Sequence, residues 1–96
     1  MNFLLFYEKV SGHAEREKPF ARDHLAYLEG IAAKGALLLG GSLADPSDGT
    51  AVMLIRAESA SAVEAVALGD PYVKNGIVDK WRIRRWDIVL GAAFEE

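Results

Sequence analysis

The stretch Pro19–Ala57, PFARDHLAYLEGIAAKGALLLGGSLADPSDGTAVMLIRA, changes its hydrophobic period twice, and those changes decide the fold. Up to Gly35, Phe20, His24, Tyr27, Leu28, Ile31 and Ala32 recur at spacings of three and four, the mark of an amphipathic helix. Pro19 suits its first turn, although the helix formers from Ala14 to Lys18 also allow an earlier start. Gly35 after Lys34 is a natural C-terminal stop. From Ala36 to Leu39 a short apolar run enters Gly40-Gly41-Ser42-Leu43 and reads as a strand. Asp45-Pro46-Ser47-Asp48-Gly49 is dense in turn chemistry, and Thr50–Ala57 returns as a second strand. Its Val52 and Leu54 fall on one side, and Ala51, Met53 and Ile55 on the other.

Outward from this helix and hairpin, Phe3–Tyr7 reads as a buried strand and Glu8–Lys18 as a polar loop. On the other side, Ser59 and Ser61 both suit an N-cap, and Ser61 with Glu64 has capping-box spacing. Val63, Val66 and Ala67 form the stripe of that second helix, which Gly69 ends. After Asp70-Pro71-Tyr72-Val73 and an Asn75-Gly76 turn, Trp81–Leu90 reads as the final strand. There Trp81 and Ile83 share one parity while Trp86, Ile88 and Leu90 share the other, which requires a bulge near Arg84-Arg85 or burial on both faces. The order is βαββαβ, a ferredoxin-like α+β arrangement forming one domain over residues 1–96. Two helices cover only one face of four strands. The apolar residues at both strand parities therefore predict a homodimer packed through the sheet face.

Composition narrows the chemistry. Apolar residues make up 51% of the chain and charged residues 26%, a globular balance that excludes disorder. With 11 Lys and Arg against 14 Asp and Glu, the net charge of −3 argues against a nucleic-acid partner. Arg82, Arg84 and Arg85 therefore read as a solvated face or interface ion pairs, and Trp81 and Trp86 as core or dimer anchors. The chain has no cysteine and two histidines, which removes thiol chemistry and points to no metal. Glu15, Glu17, Asp45 and Asp48 lack calcium-loop spacing, and Gly40-Gly41 lacks the continuation of a phosphate loop. The short apolar run at the amino terminus is no export signal, and no stretch suits a membrane helix. The expectation is a soluble, cytoplasmic protein without a membrane partner.

His24 is the most informative residue. At ~100° per residue, it lies near the centre of a sector of about 80° shared with Phe20, Leu28, Ile31 and Gly35, while Lys18, Arg22 and Glu29 fall on the far side. An inward-facing imidazole is either a satisfied core residue or a functional one. His13, beside Ser11 and Gly12, reads as a solvated loop residue. Asp70 follows a helix-ending glycine; it suits a turn cap, yet this layout also lets its carboxylate approach His24 and hold one ring nitrogen. Gly40 and Gly41 suit either a bulge or close ligand approach, Ser42 offers a hydroxyl, and Tyr72 suits either a pocket wall or packing.

Asp23-His24-Leu25-Ala26-Tyr27-Leu28, the run from Gly35 through Gly40-Gly41-Ser42-Leu43, and Gly69-Asp70-Pro71-Tyr72-Val73 together resemble the YciI-like (YCII-related) proteins over nearly the whole chain. The resemblance implies a dimeric α/β-barrel of ferredoxin-like subunits with a site containing a His-Asp pair, here His24 and Asp70. A few relatives are associated with elimination or dehalogenation of ring compounds. One departure concerns an arginine that members often carry three residues before the histidine: here Ala21 stands there, with Arg22 beside it. The expected function is cofactor-independent acid/base chemistry, proton abstraction or elimination, on a small cyclic or aromatic molecule. His24 and Asp70 are the catalytic candidates, and Gly40, Gly41, Ser42 and Tyr72 the substrate-binding ones. The rival readings are a non-catalytic small-molecule-binding module and a structural dimer.

Overall fold

Alternation along the first strand sets the architecture. In the computed structural model, which describes residues 1–91, β1 spans Asn2–Lys9. Phe3, Leu5 and Tyr7 are buried on one face, while Leu4 and Phe6 lie half-buried on the other. A helical turn, α1 (His13–Arg16), and a 3₁₀ turn (Lys18–Phe20) then lead into α2 (Ala21–Ala33). Next come β2 (Leu37–Ser42), β3 (Thr50–Arg56), α3 (Ala60–Gly69), a second short helix, α4 (Pro71–Lys74), and β4 (Val78–Arg85). The sheet order is β2-β3-β1-β4, with every neighbouring pair antiparallel. This is the expected ferredoxin-like α+β topology. Residues 92–96 of the expected domain lie outside the described residues.

Register places Leu5 between Met53 and Ile83, and Phe3 beside Ile55. These side chains meet Val63 and Ala67 of α3, Tyr72 of α4, and Ile77 and Val78 in the core. The opposite sheet face carries Leu4, Phe6, Val52 and Leu54, with the Arg82 guanidinium 4.6 Å from the centre of the Phe6 ring. No helix of the described residues is long and apolar enough to cross a membrane.

Several expectations are corrected. The Glu8–Lys18 segment is not all loop: α1 forms within it, and Pro19 sits in the 3₁₀ turn ahead of α2. The helix stop holds, with Gly35 at φ 82, a left-handed conformation suited to glycine. Ser59, not Ser61, caps α3, its hydroxyl accepting from the Ala62 amide at 3.3 Å. The last strand begins at Val78 and ends at Arg85, so Trp86, Ile88 and Leu90 lie beyond it. Their parity conflict therefore disappears without a bulge at Arg84-Arg85. The register shift instead falls at Glu8/Lys9.

No residue of α2 is fully buried, although its apolar stripe faces the sheet. Phe20, His24, Tyr27, Leu28 and Ile31 are all half-buried. Phe20, Ala21 and Leu28 pack against the core, and a cleft opens beside them under the rest of the helix. Gly40 helps keep it open: a Cβ there would come 2.8 Å from Met53 Cγ.

Candidate functional site

The cleft holds about 280 Å³. Tyr7 and Lys9 of β1 line it, as do His24, Leu25, Leu28, Glu29 and Ala32 of α2, Leu37 and Gly40 to Ser42 of β2, and Ala51 and Met53 of β3. Apolar side chains dominate its walls and polar groups gather at few points, the usual make-up of a small-molecule site. Glu29, expected on the far side of the helix, lines the cleft together with Leu25.

His24 meets Asp70 across 46 residues of sequence: His24 Nδ1 lies 2.7 Å from Asp70 Oδ1. Asp70 is fully buried, yet three groups satisfy its carboxylate. Oδ1 also accepts from the Tyr72 amide at 2.9 Å, which caps α4, and Oδ2 accepts from the Tyr7 hydroxyl at 2.9 Å. An ionised carboxylate can only accept, so the tautomer that satisfies this contact carries its proton on His24 Nδ1. In this tautomer Nε2 carries the lone pair, and among the described residues it has no hydrogen-bond partner. A buried carboxylate without such donors would be costly. The turn-cap and His-partner readings of Asp70 are thus both realised by one oxygen.

The tyrosines remain protonated donors. Burial, followed by the charge and hydrogen bond of Asp70, pushes the Tyr7 phenol far above its ordinary range. Burial and the Glu17 hydrogen bond do the same to Tyr72. Burial and the Asp70 charge also raise Tyr27, whose hydroxyl donates to the Val66 carbonyl at 2.8 Å.

Tyr72 is not among the cleft-lining residues. Its ring stacks on that of His24, with centroids 3.7 Å apart and planes 3° from parallel, so its place is a packing one. Its hydroxyl donates to Glu17 Oε2 at 2.8 Å. Lys9 Nζ approaches the same oxygen at 3.3 Å, and His13 Nδ1 lies 2.7 Å from Oε1. Burial alone would raise the Glu17 carboxyl, but the His13 and Tyr72 hydrogen bonds and the Lys9 ammonium outweigh it and hold the group below its ordinary value. His13 is therefore not the solvated loop residue expected: it opens α1 and bonds Glu17 one turn on.

Gly40, Gly41 and Ser42 all line the cleft, whereas Arg22 is exposed and does not. Reasoning from sequence missed Tyr7, Lys9 and Glu17. The signal for the first two was parity, since both continue the buried phase of Phe3 and Leu5 at a strand end. For Glu17 it was the i,i+4 spacing from His13. Among the described residues no group of three His, Cys, Asp or Glu side chains converges.

A solved structure of 5-chloro-2-hydroxyhydroquinone dehydrochlorinase (TftG) from Burkholderia phenoliruptrix AC1100, in complex with 2,5-dihydroxybenzoquinone, is similar to this chain at a TM-score of 0.76. The two are 26% identical, and the match covers 91% of this chain and 94% of that one. No curated protein matches the chain in sequence. The model of the YCII-related domain matches residues 1–87, and the chain belongs to that family.

Proposed function

We propose that this protein is a cofactor-independent acid/base enzyme acting on small ring compounds, with His24 as the base and Asp70 as its positioning partner. The observation that carries the reading is the fully buried, three-fold satisfied Asp70 carboxylate 2.7 Å from Nδ1 of a histidine that lines an apolar cleft. Nε2 takes a proton from a carbon or hydroxyl of the ring, and the electrons left behind expel a leaving group such as chloride. The resulting imidazolium is paired by Asp70, and its proton passes to solvent or product. A positioned base of this kind contributes roughly 10²–10⁴-fold. The similarity to a dehydrochlorinase of a hydroxylated ring supports both the reaction type and the substrate size. Gly40, Gly41 and Ser42 form the β2 wall against which the ring lies.

The working unit is a homodimer joined through the sheet face that carries Leu4, Phe6, Val52 and Leu54, opposite the face on which the described helices pack. We place the protein in the cytoplasm.

The test is incubation with hydroxylated ring compounds in deuterated water, beginning with 5-chloro-2-hydroxyhydroquinone, followed by proton NMR and chloride release. The wild type should give product or ring deuteration, and folded His24→Ala and Asp70→Asn proteins should give neither. Full activity in either variant overturns the reading. Binding without conversion across the panel makes the protein a binding module.

A further inference from the structure

Lys9 ends β1 on the same face as Tyr7 and is the lysine or arginine among the residues lining the cleft. Its side chain is only 13% exposed. A lysine ammonium carries three donors. One points to Glu17 Oε2 at 3.3 Å, the longest of the three contacts that Glu17 makes, and Nζ lies 5.3 Å from the centre of the Tyr72 ring. The same carboxylate also meets His13 and Tyr72 at shorter distances. Two ammonium donors are left for whatever occupies the cleft. Leu28, Leu37, Ala51 and Met53 supply walls of low polarity, where a charge-assisted hydrogen bond is stronger than in water. Lys9 and His24 both line the cleft, so the cation and the base can meet one bound molecule.

We propose that Lys9 is the anion anchor of this cleft, selecting ring compounds that carry an ionised oxygen, a phenolate or enolate, over their neutral ethers. This rests on the reading of the cleft as a ring-compound site and adds the charge state of its ligand.

The experiment is a binding titration at neutral pH with two probes: 2,5-dihydroxybenzoquinone, a vinylogous acid ionised under these conditions, and its neutral 2,5-dimethoxy analogue. The wild type and Lys9→Arg should prefer the anion. Lys9→Met should weaken anion binding by at least about tenfold and leave the ether within about twofold. No preference for the anion in the wild type, or equal loss of both probes in Lys9→Met, overturns the proposal. Should Lys9→Met fail to fold, wild-type salt dependence decides: affinity for the anion, not for the ether, falls as ionic strength rises toward about 0.5 M. Salt-independent anion binding would then overturn it. A negative result here removes the anchor and leaves the His24–Asp70 reading standing, because that reading is tested by turnover and by the His24 tautomer, neither of which this titration reads.

Discussion

The rings of Tyr72 and His24 lie face to face, 3.7 Å between centroids and 3° from parallel, and a single aspartate oxygen joins the two residues from below: Asp70 Oδ1 accepts from the Tyr72 amide and from His24 Nδ1. One four-residue segment, Gly69–Tyr72, therefore fixes both the plane and the hydrogen-bonding edge of the imidazole. Glu17 completes the arrangement by holding the Tyr72 hydroxyl from another element.

Removing only that hydroxyl should separate packing from anchoring. Tyr72→Phe keeps the stack and should cost about 1 kcal/mol of stability. Tyr72→Ala, at a residue 3% exposed, should cost about 3–5 kcal/mol. Urea unfolding measures both, and the His24 ring NMR shifts should stay near wild type in the Phe variant and move in the Ala variant.

Tyr7 makes stability sensitive to alkali. Its folded-state pKa is raised above the ordinary 10.0, first by burial and then by Asp70, so the stabilisation is fully present below pH 10 and is lost as the pH climbs further. Tyr7→Phe should lose about 1–3 kcal/mol at neutral pH, where Asp70 lacks a donor. Its stability should then fall less steeply than wild type above pH 10, as read by thermal melts across pH.

Glu17 acts on the opposite limb. Its folded-state value is lowered from 4.5, so its contribution is present above that pH and is lost as the pH falls through the depressed folded value. Glu17→Gln should lower stability at neutral pH by about 1 kcal/mol and flatten the acid limb below pH 4.5. An unchanged acid limb in the melts would show that the cluster of His13, Lys9 and Tyr72 contributes nothing through charge.

Much of this was readable in the chain. The helix from Phe20 to Ala32 and the hairpin around Asp45–Gly49 fixed the topology, because period and turn chemistry are local properties. Family-wide residues likewise brought His24 and Asp70 together. The Lys9–Glu17–Tyr72 contacts were hidden because they join β1, the segment after α1 and α4, and no local pattern encodes a meeting of three elements. The end of β4 was misplaced because Trp86, Ile88 and Leu90 look like strand residues, although pairing with β1 stops at Arg85, opposite Phe3. The α2 stripe is part core and part cleft wall, with Phe20 packed on the core and His24 lining the cleft, a division that sequence period cannot make.

The sheet face turned away from the described helices predicts association. Val52, central on β3 and half-buried, faces away from the helices opposite Phe6. Val52→Asp should leave the monomer folded and convert a dimer to monomers in light scattering. A wild-type monomer at all concentrations would remove the dimer from the account.

The central claim is that Asp70 holds the proton on His24 Nδ1 and leaves Nε2 as the base in the cleft. Nitrogen-15 NMR of the neutral imidazole reads this directly. The account predicts a protonated Nδ1 and a lone pair on Nε2 in the wild type, with that preference lost in Asp70→Asn. A wild-type spectrum with the proton on Nε2 would contradict it.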